Sequence, residues 1–362
     1  MAPEEKLPCE LIEEILSRVP PESLVRFRTV SKKWNALFDD KMFINNHKMT
    51  FRFILATESK FYSVSMTPKI EVRELSLDIP GLELKPKILI DCNGFLLCGM
   101  EKEGIVVWNP CLKVNQPSLC FNGIGYEYDN MKLESSGYKT LVSYPNELDP
   151  TRSVWKIHDF ASNSWKYTNL VISGSSGVTL LGASVSLNGI LYWVASHLKN
   201  NSLFVLVYYN FSNEKVYKFS DLPCGEKHHH DVLVLRIFRE DRLSLLKQCH
   251  LTKKIEIWVT KNKIRNCSSG DVDSVEWMNF MEVSTPNLPV LVHPSYFIDD
   301  KKLVVCSCDE TGQAWIYVVG DNKLISKIQI DSVVGPWPLH CSFFPSLVSI
   351  PRSQTKKAAL QV

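Results

Sequence analysis

The sequence predicts a small all-α head of three short helices followed by a large all-β domain, a β-propeller of about six blades. Three observations predict it. Helical spacing of apolar residues is confined to the N-terminal stretch up to about residue 50. From about residue 51, short β-rich runs alternate with Gly, Asn, Asp and Pro. Within that region one turn, following an aromatic strand, recurs at steps of about 50 residues. A chain of 362 residues with 45% hydrophobic content exceeds one compact core, so a small head and a larger body are expected.

Pro8 sits where a first helical turn tolerates proline, and Leu11, Ile12, Ile15, Leu16 and Val19 follow at helical spacing. That is more apolar surface than so short a helix can hide alone, so the segment wants a partner. Pro20-Pro21 stops the helix, and a short second one carries Leu24 and Phe27. Ser31 is placed to cap a third helix that presents Trp34, Leu37 and Phe38 at i, i+3, i+4.

Leu7-Pro8, then Ile15-Leu16-Ser17-Arg18-Val19-Pro20, then Arg26-Phe27-Arg28-Thr29-Val30-Ser31-Lys32-Lys33-Trp34 together resemble an F-box. The resemblance implies a docking module, residues 1–48, for the Skp adaptor of cullin-based ubiquitin ligases. It implies Leu7, Pro8, Leu11, Ile15, Leu16, Pro20, Leu24, Val30 and Trp34 as the adaptor-binding set, with Trp34 mainly structural. The alternative is a helical bundle that merely covers the N-terminal side of the body.

In the body, Ile88-Leu89-Ile90, Ile105-Val106-Val107-Trp108 and Leu203 to Tyr209 read as strands. The recurring turns are Trp108-Asn109-Pro110, His158 to Asn163, Tyr209 to Asn213, Trp258 to Asn262 and Tyr317 to Asn322. Anchored on Asn109, Asp159, Asn210, Trp258 and Val318, the steps are about 50, 51, 48 and 60 residues, close to kelch-type blades. Asn93-Gly94 and Asn188-Gly189 each open a strand and favour the φ > 0 turn of a tight hairpin. A sandwich or irregular β fold is the alternative to the propeller.

Ile90 to Cys98, Val107 to Pro110, Trp155 to Lys166 and Leu187 to Trp193 are similar to the F-box-associated interaction domain of plant proteins. The resemblance implies a plant source and a division into 1–48, F-box; 49–84, connecting segment and first strands; 85–350, F-box-associated β domain; and 351–362, flexible basic tail. Cys120 to Asp129 departs from the usual continuous Gly-Phe-Gly-Tyr-Asp run.

Composition narrows the function. With 41 basic and 39 acidic residues, net charge +2 offers no broad attraction to nucleic acid or anionic lipid, so neither is expected as a partner. The longest apolar stretch, Leu203 to Tyr209, is far below the roughly 18 residues of a spanning helix. Glu4 and Glu5, with no apolar run after them, argue against a signal peptide. Eleven cysteines without framework spacing read as reduced core residues, and the expected compartment is cytoplasm or nucleus.

Catalytic motifs do not emerge. Adjacent histidines in His228-His229-His230-Asp231 point to opposite faces and do not easily close one metal sphere, so the segment reads as a solvated loop. Cys306-Ser307-Cys308 lacks a second ligand pair and reads as packing. Gly174-Ser175-Ser176-Gly177 is not a nucleophile elbow, and no phosphate-binding glycine loop occurs. Trp155, Trp193, Trp258 and Trp315 are expected to pack between blades.

The expectation is a non-catalytic substrate receptor without metal or cofactor. The F-box would hold the Skp-type adaptor, and through it cullin and a RING protein, while the β domain presents a protein client. The alternatives are an F-box scaffold or decoy acting outside the ligase, and a propeller lectin or enzyme with an appended docking module. The client residues are unassigned; Tyr144 to Ser153, Lys199 to Ser202, Pro223 to Asp231 and Cys267 to Asp273 are candidate loops.

Overall fold

The structure is a computed structural model. It describes residues 7–40, Phe43, Ile44, His47 and most of 52–347; the longest stretches left out are 77–84, 127–136, 146–152, 169–177 and 265–274. The expected tail, 351–362, lies outside the described residues. The chain forms two compact units, residues 1–117 with 331–350, and residues 118–330 with 351–362.

The first unit begins with α1 (Cys9–Leu16), α2 (Pro21–Phe27) and α3 (Lys32–Asp39). Pro8 stands just before α1 with φ −54 and ψ 148, and Pro21 starts α2, where a missing N–H costs nothing. The Ser31 side chain accepts a hydrogen bond from the Trp34 backbone N–H at 3.1 Å, the cap expected from its position. Leu16, Leu24, Phe38, Phe43 and Ile44 close a small core, joined by Leu347 from the far end of the chain.

The same unit holds two four-stranded antiparallel sheets. β4 (Pro86–Cys92), β5 (Phe95–Met100), β6 (Gly104–Asn109) and β7 (Val114–Ser118) form one meander. In the other, β1 (Phe53–Ala56), β2 (Phe61–Ser65) and β3 (Glu71–Leu75) are completed by the last strand of the chain, β24 (Leu339–Ser342), which pairs with β1. Residues 53–75, expected as connecting segment and first strands, therefore supply three strands of a blade. Ile54, Phe61, Leu96, Trp108, Cys341 and Phe343 fill the space between the two sheets.

The second unit holds four more four-stranded meanders. These are β8 (Gly123–Tyr126), β9 (Tyr138–Pro145), β10 (Ser153–Asp159) and β11 (Ser164–Thr168); then β12 (Val178–Leu187), β13 (Ile190–His197), β14 (Asn200–Asn210) and β15 (Lys215–Asp221). They are followed by β16 (Val232–Phe238), β17 (Arg242–Gln248), β18 (Ile255–Thr260) and β19 (Trp277–Val283), and by β20 (Val292–Asp299), β21 (Lys302–Cys308), β22 (Ala314–Gly320) and β23 (Lys323–Gln329). The described strands thus make six blades of a β-propeller.

All five anchors of the sequence repeat fall on or at the end of the third strand of consecutive blades: β6, β10, β14, β18 and β22. The long last step follows from the long connection between β18 and β19, residues 261–276. The repeat does not start where a blade starts, however. Counted from the end of the turn at Asn163 to the end of the next at Asn213, one repeat, residues 164–213, spans β11 to β14, one outer strand and three inner ones, whereas the structural blade runs from 178 to 221.

The Asn188-Gly189 pair joins β12 to β13 with φ of 52° and 80°, as a two-residue hairpin requires. Opposite it, the irregular glycine run resolves into an inner strand. A Cβ on Gly125 would stand 2.3 Å from the Gly189 carbonyl oxygen and 2.3 Å from the Phe211 ring, so only glycine lets β8 approach the next blade. Trp258 and Trp277 pack against one inter-blade core and Trp315 against another, the role expected of the strand tryptophans. Cys306 and Cys308 are buried in β21 as packing residues.

Candidate adaptor-docking surface

On α1 the apolar residues divide between two stripes. Ile12 and Leu16 turn inward to the head core, while Leu11 and Ile15 are 50% and 53% exposed and, with Leu7 at 56%, form an outward row at i, i+4, i+8. Val30, in the turn between α2 and α3, is 61% exposed. Lys33 Nζ donates to Cys9 Sγ at 2.6 Å, which holds the start of α3, and Val30 with it, beside the start of α1. The Cys9 sulfur raises the Lys33 pKa through that contact. Pro8 and Pro20 are exposed at the two ends of α1.

Three of the expected contact residues lie elsewhere. Leu16 and Leu24 are buried in the head core, and Trp34 is half-buried with its ring 5.8 Å from that of Phe27. Helical phase turns Ile12 and Leu16 inward on α1, and Leu24 on α2 and Trp34 on α3 pack against the same core.

Sequence reasoning missed two residues that fix this head. Arg28, at the end of α2, donates from Nη1 to Asn35 Oδ1 at 3.0 Å and to Asp39 Oδ1 at 2.6 Å, and from Nη2 to the Phe38 carbonyl at 3.1 Å. The only signal was its place in the Arg-x-Arg motif. His47 is buried with Nε2 2.8 Å from the Val19 carbonyl, beyond the end of α1, and burial lowers its pKa.

Elsewhere, His228 and His230 are exposed, as a solvated loop requires, while the aspartate beside them is buried. Asp231 is 5% exposed; its Oδ1 accepts from the His250 backbone N–H at 2.9 Å and its Oδ2 from that of His228 at 3.2 Å, so the carboxylate folds the loop onto β17. Among the described residues no group of three His, Cys, Asp or Glu could hold a metal ion, and no helix is long and apolar enough to cross a membrane.

Of the candidate client loops, residues 146–152, 199, 226, 227, 229 and 267–273 lie outside the described residues. Strand parity still relates their described flanks. The turns after second strands, flanked by Pro145/Ser153 and His197/Asn200, and the connection from β15 to β16 leave the same edge of their blades, while the β18–β19 connection leaves the opposite edge.

Residues 5–46 match the F-box domain, which makes the chain an F-box protein. Residues 52–350 match the F-box associated beta propeller domain, and the chain belongs to that family of plant F-box proteins. The putative F-box protein At1g47390 of Arabidopsis thaliana is 96% identical over 370 residues, covering 100% of each chain. The F-box/kelch-repeat protein At3g16580 of the same plant is 55% identical over 379 residues, covering 98% of this chain and 96% of its own. Protein SUPPRESSOR OF NIM1 1, also from Arabidopsis, is 39% identical, covering 95% of this chain and 98% of its own.

Proposed function

We propose that the protein is the substrate-recognition subunit of a Skp-cullin-F-box ubiquitin ligase. The F-box docks the Skp-type adaptor, through it cullin and a RING protein are engaged, and the propeller presents a protein client whose lysines are modified by proximity. The observation that carries this reading is the outward row Leu7, Leu11, Ile15 with Val30, left exposed although the core of the head is already closed. The membership of the F-box family supports it. We place the protein in the cytoplasm or nucleus, where its buried thiols stay reduced. The blades are proposed to be kelch-like, a reading supported by a relative named an F-box/kelch-repeat protein and by the repeat of about 50 residues. No bond chemistry is assigned to the chain itself.

The test is co-purification from plant cells with the proteasome blocked. Wild type is expected to bring down the Skp-type adaptor and cullin, and Leu11→Asp with Ile15→Asp to lose both. Adaptor binding without cullin would favour a scaffold outside the ligase.

A further inference from the structure

Arg236 lies on β16, the edge strand of its blade, whose side chains alternate between two inter-blade cores. Leu233, Leu235 and Ile237 face the core shared with the preceding blade, and Val232 and Val234 pack against the core shared with the following one. By the same alternation Arg236 belongs to the second face, where sequence patterning calls for another apolar residue. A guanidinium stands there instead.

The protein itself uses little of that group. Of its five N–H donors, one from Nη1 reaches the Leu235 carbonyl at 3.0 Å, a contact to the adjacent residue. Nε is buried with no hydrogen-bond partner. No carboxylate pairs with Arg236 among the described residues. The nearby polar groups are neutral: the buried Tyr296 hydroxyl lies 3.0 Å from Ser244 Oγ. Burial pushes the Tyr296 pKa up, whereas the Ser244 hydrogen bond and the Arg236 charge both pull it down, which puts the guanidinium within electrostatic reach of this pair. Arg236 is part-buried, so water reaches part of its guanidinium, and a partly desolvated cation without a counter-charge gains from an anion supplied from outside the chain.

We propose that Arg236 anchors an oxyanion-recognition site on the inner strand of the β16–β19 blade, taking a carboxylate or phosphate group presented by the protein client. Nη1 and Nη2 carry the four donors other than the buried Nε, one of them used by Leu235, and an end-on charge-assisted pair between them and an oxyanion gives both affinity and orientation. The bond to Leu235 is local and exchanges without disturbing the β16–β17 ladder. This inference rests on the substrate-receptor reading and names the client's chemistry.

The test uses the full chain purified with its Skp-type adaptor and three probes at equal ionic strength: inorganic phosphate, acetate and chloride. Reaction of arginines with phenylglyoxal is followed by peptide mass spectrometry. Phosphate or acetate is expected to protect Arg236 saturably relative to chloride while leaving the exposed Arg26 reactive. Protection by phosphate alone assigns a phosphorylated client, and by acetate alone an acidic one. The rise in thermal midpoint caused by the protecting anion should be lost in Arg236→Gln and reduced in Arg236→Lys. Equal modification of Arg236 in all three salts overturns the site, as does a midpoint rise unchanged in Arg236→Gln. Adaptor retention in the same preparations is read separately, so loss of the adaptor identifies failure of the receptor reading instead.

Discussion

Leu347 shares a buried cluster with Leu24, so the C-terminal segment of the chain closes the core of its N-terminal helices. The tie continues one residue earlier, where Asn109 Nδ2 donates to the Ser346 carbonyl at 3.0 Å and fixes the segment to the end of β6. The F-box is therefore not an independent bead on a string.

Leu347→Ala is expected to destabilise the head by about 2–4 kcal/mol, the range for truncating a buried leucine. Adaptor binding in pull-down should fall with it, although Leu347 is far from the outward row in sequence. Unchanged thermal unfolding and unchanged binding would mean that the head core closes without the C-terminal segment.

Surface and core leucines of the head should separate cleanly. Leu11→Asp is expected to change stability by no more than about 0.5 kcal/mol, because the residue is exposed, yet to weaken adaptor binding by about 2 kcal/mol or more if it is an interface anchor. Leu24→Ala should do the reverse first, unfolding the module and losing binding as a consequence. Circular dichroism melts beside adaptor titrations check the split.

Arg28→Ala removes three hydrogen bonds that join α2 to α3, and should cost about 1–2 kcal/mol. Asp39→Ala should cost less than about 1 kcal/mol, since that carboxylate is largely exposed and its ion pair is screened. Comparable losses in urea midpoint for the two variants would contradict this ranking.

His47 makes the head sensitive to acid. Burial, the dominant cause, lowers its pKa below the ordinary 6.5, so below that pH the unfolded chain binds a proton that the folded head resists. Stability from this residue is present above about pH 6.5 and falls as the pH drops toward the depressed folded value. His47→Gln should flatten that part of the stability–pH curve, as measured by urea unfolding from pH 7.5 to 5.

Gly125→Ala should destabilise the second unit by about 1–3 kcal/mol or more, because the added methyl meets a backbone carbonyl and a packed Phe211 ring, neither of which can readily give way. A substitution in open space offers the control: Gly182→Asn keeps a φ of +67° within reach of a short polar residue and should cost far less.

The sequence by itself determined the order of helices before strands, the three helices with their proline stops and serine cap, and the third strand of five blades. These are written in local periods of 3.6 and 2 and in turn residues, which act over a few positions. Tertiary structure alone decided where a blade begins, that β24 completes the sheet of β1 to β3, and that Leu347 belongs to the head core. Those pairings join residues from opposite ends of the chain, and no local pattern marks them. The candidate docking surface was legible only in part: helical spacing identified the apolar set, but packing decided that Leu11 and Ile15 face out while Leu16 and Leu24 face in. Arg236 was silent for the same reason, since one arginine on an apolar strand becomes unusual only when the described residues of the neighbouring blade are seen to bring it no carboxylate.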